Sequence, residues 1–281
     1  MTFGPIVSSE WLHEHLDEAN LRIVDFRWYL LGAKGRDAYA GGHIPGAVFV
    51  DLEAVTGKEG GGRHPLPTGA QFEEEMQKAG ISAATRVVAY DDAGGSIASR
   101  LWFLLRWFGH EAQAVLDGGV ATWGKLLTTE VSPVARGSFK AAEPERSRIL
   151  DFDDVKKLAG VPLLDARAGE RYRGEKEPID PKAGHIPGAL SAPWSENLGP
   201  DGRFKSPEAL RARFAELGVD DQKDAVAYCG SGVNATHDLL AMEIAGLKNG
   251  RLYAGSWSDW SNRDAPIATG KERGSGFTIS R

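Results

Sequence analysis

Short apolar runs alternate with longer segments of helical period along the whole chain. IVDF (Ile23–Phe26), VVAY (Val87–Tyr90) and AVL (Ala114–Leu116) are strand candidates in the first half. QFEEEMQKAG and SRLWFLLRWFG read as helices there, each closed by a glycine. The second half offers PLLDA (Pro162–Ala166), AVAY (Ala225–Tyr228) and RLY (Arg251–Tyr253) as strands, with SPEALRARFAELG and ATHDLLAMEIAG as helices. Near the start, SSEWLHEHL reads as a helix with Ser9 near its N-cap. Strand–helix alternation of this kind predicts an α/β fold, with a mostly parallel central sheet and helices on both faces.

The two halves repeat each other. GGHIPGAVFV (Gly41–Val50) returns as AGHIPGALSA (Ala183–Ala192), and LRIVDFRW (Leu21–Trp28) as PLLDARAG (Pro162–Gly169). VVAYDDAGGS (Val87–Ser96) answers AVAYCGSGVN (Ala225–Asn234), and VLDGGVATW (Val115–Trp123) answers LYAGSWSDW (Leu252–Trp260). Four matches in the same order, each about 140 residues apart, imply two copies of one domain. At 281 residues the chain exceeds the usual size of one hydrophobic core, which agrees. TTEVSPVARGSFKAAEPERS, rich in Pro, Gly, Ser and charge, reads as the linker. The expected boundaries are a first domain over 1–127, a linker over 128–147 and a second domain over 148–281.

Charge and composition narrow the partners. A net charge of −6 gives no global attraction to nucleic acid or an anionic membrane. No apolar stretch reaches the ~20 residues of a membrane span. The start lacks a basic segment followed by an apolar run, so it does not read as a secretory signal. With a single cysteine, this points to a reducing cytoplasm.

That cysteine, Cys229, directly follows the AVAY run and opens CGSGVN, a glycine-containing loop ahead of a helix. Free loop amides and the positive end of a helix dipole favour thiolate over thiol at such a place. Ligands of parallel sheets bind beyond the carboxyl ends of strands, where Cys229 lies. An inert core cysteine would not need glycines that let backbone amides converge on it. The position matching Cys229 in the first copy is Asp91, and a carboxylate cannot carry a transferable sulfur.

Tandem GHIPGA elements, the DxR segment, a Cys loop in the second copy only and GSWSDW (Gly255–Trp260) resemble the two-domain rhodanese sulfurtransferases. The likeness covers nearly the whole chain and implies two tandem rhodanese-like domains, the first without the catalytic cysteine. CGSGVN is similar to the CGSGVT loop of the 3-mercaptopyruvate branch, where the thiosulfate-preferring branch has CRKGVT. The resemblance implies a Cys229 persulfide that passes sulfane sulfur to cyanide or a thiol, thioredoxin and glutathione being compatible acceptors, with no metal or organic cofactor. It places Arg171 on the anionic donor, and the loop amides of Gly230, Gly232, Val233 and Asn234 on the anionic sulfur. Arg167 would orient the loop with Asp165. An Asp–His–Ser relay falls on Asp51, His64 and Ser231.

Two departures bear on the donor. Asn234 replaces the usual loop Thr, and Asp180 stands nine residues after Arg171, where mercaptopyruvate enzymes usually carry a second arginine. A carboxylate there is expected to repel a substrate carboxylate, with Arg173, Lys176 or Lys182 as substitutes. The uncharged loop favours mercaptopyruvate and the missing arginine argues against it; the balance leans slightly to mercaptopyruvate, with thiosulfate as the alternative donor. Two further readings compete. A phosphatase with a related fold needs an arginine at the sixth position after the cysteine, and that residue is Ala235. A non-catalytic persulfide carrier or redox sensor would load one sulfur and stop, where an enzyme turns over.

Overall fold

The computed structural model describes residues 3–274. It divides into two compact units. The first comprises residues up to Gly57, Pro67–Glu145 and Pro200–Phe204; the second comprises Lys58–Leu66, Arg146–Gly199 and the chain from Lys205 onward.

In the first unit β1 (Ile6–Val7), α1 (Ser9–His15), β2 (Leu21–Asp25), α2 (Gly35–Gly41) and β3 (Val48–Phe49) are followed by α3 (Gly69–Lys78), β4 (Arg86–Tyr90), α4 (Ala98–Trp107) and β5 (Gln113–Leu116). The second contains β6 (Ile149–Leu150), α5 (Phe152–Lys156), β7 (Leu163–Asp165), α6 (Gly169–Tyr172) and β8 (Leu190–Ser191), then α7 (Pro207–Glu216), β9 (Ala225–Tyr228), α8 (Ala235–Ile244), β10 (Gly250–Tyr253) and α9 (Ser256–Trp260). The sheet orders are β1-β5-β4-β2-β3 and β6-β10-β9-β7-β8, with every pair parallel. The second order is the first shifted by five, so the sequence repeat is a repeat of topology.

Every central strand anticipated from the sequence is present. Their runs are apolar without alternation because they are covered on both faces: β5 and β9 are buried at every residue. α4 and α8 are buried over Ala98–Leu105 and Ala235–Met242, so they are covered nearly all round, polar residues such as Arg100 and Asp238 included. Ser8, rather than Ser9, caps α1, its hydroxyl accepting Trp11 N–H at 3.2 Å. The two-residue strands β1, β3, β6 and β8 were not anticipated, since two residues carry no period.

A buried polar network recurs in both units and explains two of the repeated motifs. Asp25 receives Arg27 Nε at 3.0 Å and the Tyr90 hydroxyl at 2.7 Å, while Arg27 Nη2 donates to Gly42 O at 2.7 Å. Ile44 N–H, in GHIPGA, then donates to the Tyr90 hydroxyl at 3.2 Å. In the second unit Asp165 receives Arg167 Nε at 3.0 Å, Arg167 Nη2 reaches Gly184 O at 2.6 Å, and Ile186 N–H meets the Tyr228 hydroxyl at 3.2 Å. Burial and the facing Asp165 carboxylate push the Tyr228 hydroxyl well above its ordinary range, so it stays a donor. A buried ion pair of this kind fixes geometry more than it adds stability. Here it holds GHIPGA to the strand that leads into Cys229.

The stretch expected as a linker lies on the first unit as far as Glu145. Thr128 and His43 exchange backbone bonds at 2.9 Å, Gly137 N–H meets Gln77 O at 2.8 Å, and Phe139 is buried edge-on to Phe72. One apolar anchor among Pro, Gly and Ser has no periodicity for a sequence reading to detect. Among the described residues no helix is long and apolar enough to cross a membrane.

Candidate active site

Cys229 sits at the end of β9 and is 2% exposed. The chain then turns through Gly230–Val233 to Asn234, the residue ahead of α8. Gly232 has φ +78°, and a Cβ there would also lie 2.5 Å from Ala254 O. Both the backbone conformation and the close approach therefore require glycine.

The GSWSDW element fastens this loop from behind. Ser256 Oγ accepts Cys229 N–H at 3.1 Å, Trp257 N–H donates to Cys229 O at 2.9 Å, and Ser258 N–H to Gly230 O at 2.8 Å. Ser256 is the non-glycine residue with positive φ (54°) among the described residues. Its Oγ donates to Tyr253 O at 2.9 Å, which supports that strained turn. The Trp257 ring also carries the Arg167 guanidinium, 4.5 Å from its centroid.

The segment Lys58–Leu66 belongs to the second unit although it lies within residues 1–127. Its GGG run allows this. A side chain at Gly61 would collide with the Asp259 carboxylate, and one at Gly62 with Gly255 O. Arg63 N–H donates to Ser258 Oγ at 3.0 Å. These contacts deliver His64, which is buried, with its Nδ1 2.7 Å from Ser231 Oγ in the cysteine loop. His64 and Ser231 are thus hydrogen-bonded. Asp51 belongs to the first unit, where its Oδ1 accepts Glu53 N–H at 3.1 Å.

The same segment brings Arg63, which the sequence reading did not single out. An ideal Cβ on Gly230 would lie 2.9 Å from Arg63 Nη2 and 3.5 Å from Arg171 Nη1, so two guanidiniums face the cysteine loop. Carboxylates hold both. Glu177 receives Arg171 Nε at 3.2 Å and Nη2 at 2.6 Å, and Asp180 receives Arg171 Nη2 at 3.3 Å together with Arg63 Nη1. The expected repulsion by Asp180 takes a different form: its charge is engaged by two arginines. Each of the three anticipated substitutes has a partner of its own. Arg173 pairs with Glu175, Lys176 with Glu170, and Lys182 donates to Arg263 O. The sequence clue to Arg63 was its place directly before His64.

The first copy shows what its loop does with a negative charge. The Asp91 carboxylate is fully buried and accepts four backbone amides: Ala93 at 2.9 Å and Gly95 at 2.8 Å on Oδ1, Ile97 at 2.8 Å and Ala98 at 2.9 Å on Oδ2. Burial pushes this carboxyl up, and the four donors oppose the shift.

The rhodanese-like domain family matches residues 8–126 and 150–263. A probable 3-mercaptopyruvate sulfurtransferase of Pseudomonas aeruginosa is 44% identical over 96% of this chain and 100% of its own length. The chain belongs to the tandem-domain rhodanese sulfurtransferases. A putative thiosulfate sulfurtransferase, SseB of Mycobacterium tuberculosis, is 39% identical to this sulfurtransferase over 85% of the chain and 87% of its own. The crystal structure of SseA, a 3-mercaptopyruvate sulfotransferase from Escherichia coli, superposes with a TM-score of 0.81 at 33% identity, covering 91% of this chain and 99% of that one. The fold of the sulfurtransferase is therefore the rhodanese fold, present twice.

Proposed function

We propose that this sulfurtransferase takes sulfur from 3-mercaptopyruvate on Cys229 and passes it to cyanide or a small thiol. The observation that carries the donor assignment is the Ser231–His64 hydrogen bond beside the cysteine, at 2.7 Å. The Cys229 thiolate attacks the donor sulfur, the C–S bond breaks, and its electron pair leaves on carbon as the enolate of pyruvate. The proton of the donor thiol must reach that carbon, leaving a persulfide anion on Cys229. With His64 in the Nε2–H tautomer, Nδ1 accepts the Ser231 hydroxyl, and the pair can relay this proton. Cyanide then attacks the outer sulfur, thiocyanate departs, and the thiolate returns.

The Asp91 carboxylate suggests where the anionic sulfur is held. By the repeat, amides at the second, fourth and sixth positions after Cys229, those of Ser231, Val233 and Ala235, correspond to three of the four that bind Asp91, while at the seventh Thr236 N–H donates to Val233 O at 3.1 Å. They extend the expected set past Asn234 into the first turn of α8, where the helix dipole adds to the hold. Arg63 Nη2 and Arg171 Nη1 receive the donor carboxylate.

Thiosulfate, the alternative donor, releases sulfite, which is a stable anion and needs no proton on carbon. Ser231→Ala is therefore expected to lower kcat with mercaptopyruvate by about 100-fold and to leave the thiosulfate rate nearly unchanged. Equal losses with both donors would remove the relay from the mechanism. Arg171→Ala is expected to raise the mercaptopyruvate KM by roughly 10- to 100-fold with a much smaller change in kcat, since it removes donor binding rather than chemistry. The deciding measurement is kcat/KM for the two donors with cyanide as common acceptor. A higher value for thiosulfate would replace this donor assignment, and a single turnover with either would favour a carrier. A reducing cytoplasm, with thioredoxin or glutathione as acceptor, fits a chain with one thiol.

A further inference from the structure

The two guanidiniums at the cysteine loop are both paired with buried carboxylates. Arg171 gives Nε and Nη2 to Glu177, and the two arginines share Asp180. Asp180 and Glu177 side chains are only 2% and 3% exposed, so solvent screens these charges weakly. Arg167 Nη1 also donates to Glu177 and Arg167 is itself paired with Asp165, so three cations and three carboxylates sum to zero before any donor binds. A mercaptopyruvate carboxylate brings one negative charge to this cluster, and thiosulfate brings two.

We infer that Asp180 is a specificity-determining residue that makes the site select a monoanionic donor over a dianionic one. The inference rests on the donor assignment above and goes beyond it. Asp180 acts through the arginines it holds and through its charge. It positions Arg63 by accepting Nη1, which leaves Nη2 toward Gly230. Its own charge opposes each negative charge brought in, so the penalty on a dianion is twice that on a monoanion. A second arginine at this place would clamp any anion more tightly and discriminate less by charge. Exchanging it for Asp180, with Arg63 supplying the guanidinium, keeps the clamp and lowers its net charge.

The test compares the ratio of kcat/KM for thiosulfate to that for mercaptopyruvate. Asp180→Asn removes the charge and keeps an oxygen for Arg63, and it is expected to raise that ratio about tenfold at low ionic strength, less in high salt. Asp180→Glu keeps the charge and is expected to hold the wild-type ratio. An unchanged ratio in Asp180→Asn overturns the inference, as does an equal rise in Asp180→Glu. So does a KM increase that is the same for both donors, which would make Asp180 a purely structural anchor. Mass analysis of Cys229 after incubation with each donor separates the two levels. A wild-type cysteine that gains sulfur from neither donor would refute the function itself, whereas a normal persulfide with an unmoved ratio refutes the role of Asp180 alone.

Discussion

Cys229→Ser is expected to abolish turnover with either donor, a loss of at least about a thousandfold. Serine is nearly the same size, and the bonds that hold this position use the backbone: Cys229 N–H to Ser256 Oγ and Cys229 O from Trp257 N–H. The loop should therefore keep its shape, and the loss can be assigned to the nucleophile. A hydroxyl is a far weaker nucleophile than a thiolate near neutral pH and forms no stable persulfide analogue. After incubation with donor, the wild-type peptide carrying Cys229 should gain the mass of one sulfur atom, and the serine variant none. Retained activity in Cys229→Ser would mean that sulfur travels by another route.

The second large effect is on stability. Asp91→Ala takes the acceptor away from four amides at once, three of them buried. Leaving a buried donor unsatisfied costs ~1–3 kcal/mol, and with partial relaxation of the loop the total should be at least about 3 kcal/mol. A drop in Tm of roughly 10 °C for the first unit is expected. Urea or thermal unfolding measures it directly, and a shift of only a degree or two would mean that the amides find other partners. Asp91→Cys should gain no sulfur, because the matching loop, DDAGGS, lacks a donor pocket like that of CGSGVN.

Much of the fold was legible because it depends on local pattern. Fully buried strands such as β9 read as apolar runs, and helices such as α4 and α8 end at glycines with positive φ, Gly109 and Gly246. The repeat was legible because two copies of one topology need the same residues at the same turns. The Asp165–Arg167 pair, two residues apart, was within reach for the same reason. The packing of Phe139 was not: a lone aromatic in an irregular stretch finds its partners only through non-local contacts.

By itself the sequence determined the α/β class, the duplication, the single cysteine on its glycine loop and the aspartate at the matching place in the first copy. These follow from periodicity, glycine placement and residue identity, which are properties of the chain in order. Only the tertiary structure decided that residues 58–66 join the second unit, that His64 meets Ser231, and that Asp180 is held by Arg63 and Arg171. Electrostatic energy depends on distance in space and on the surrounding dielectric. The sign of Asp180 could be read along the chain, but its effect could not be, because the chain does not state which charges will stand beside it.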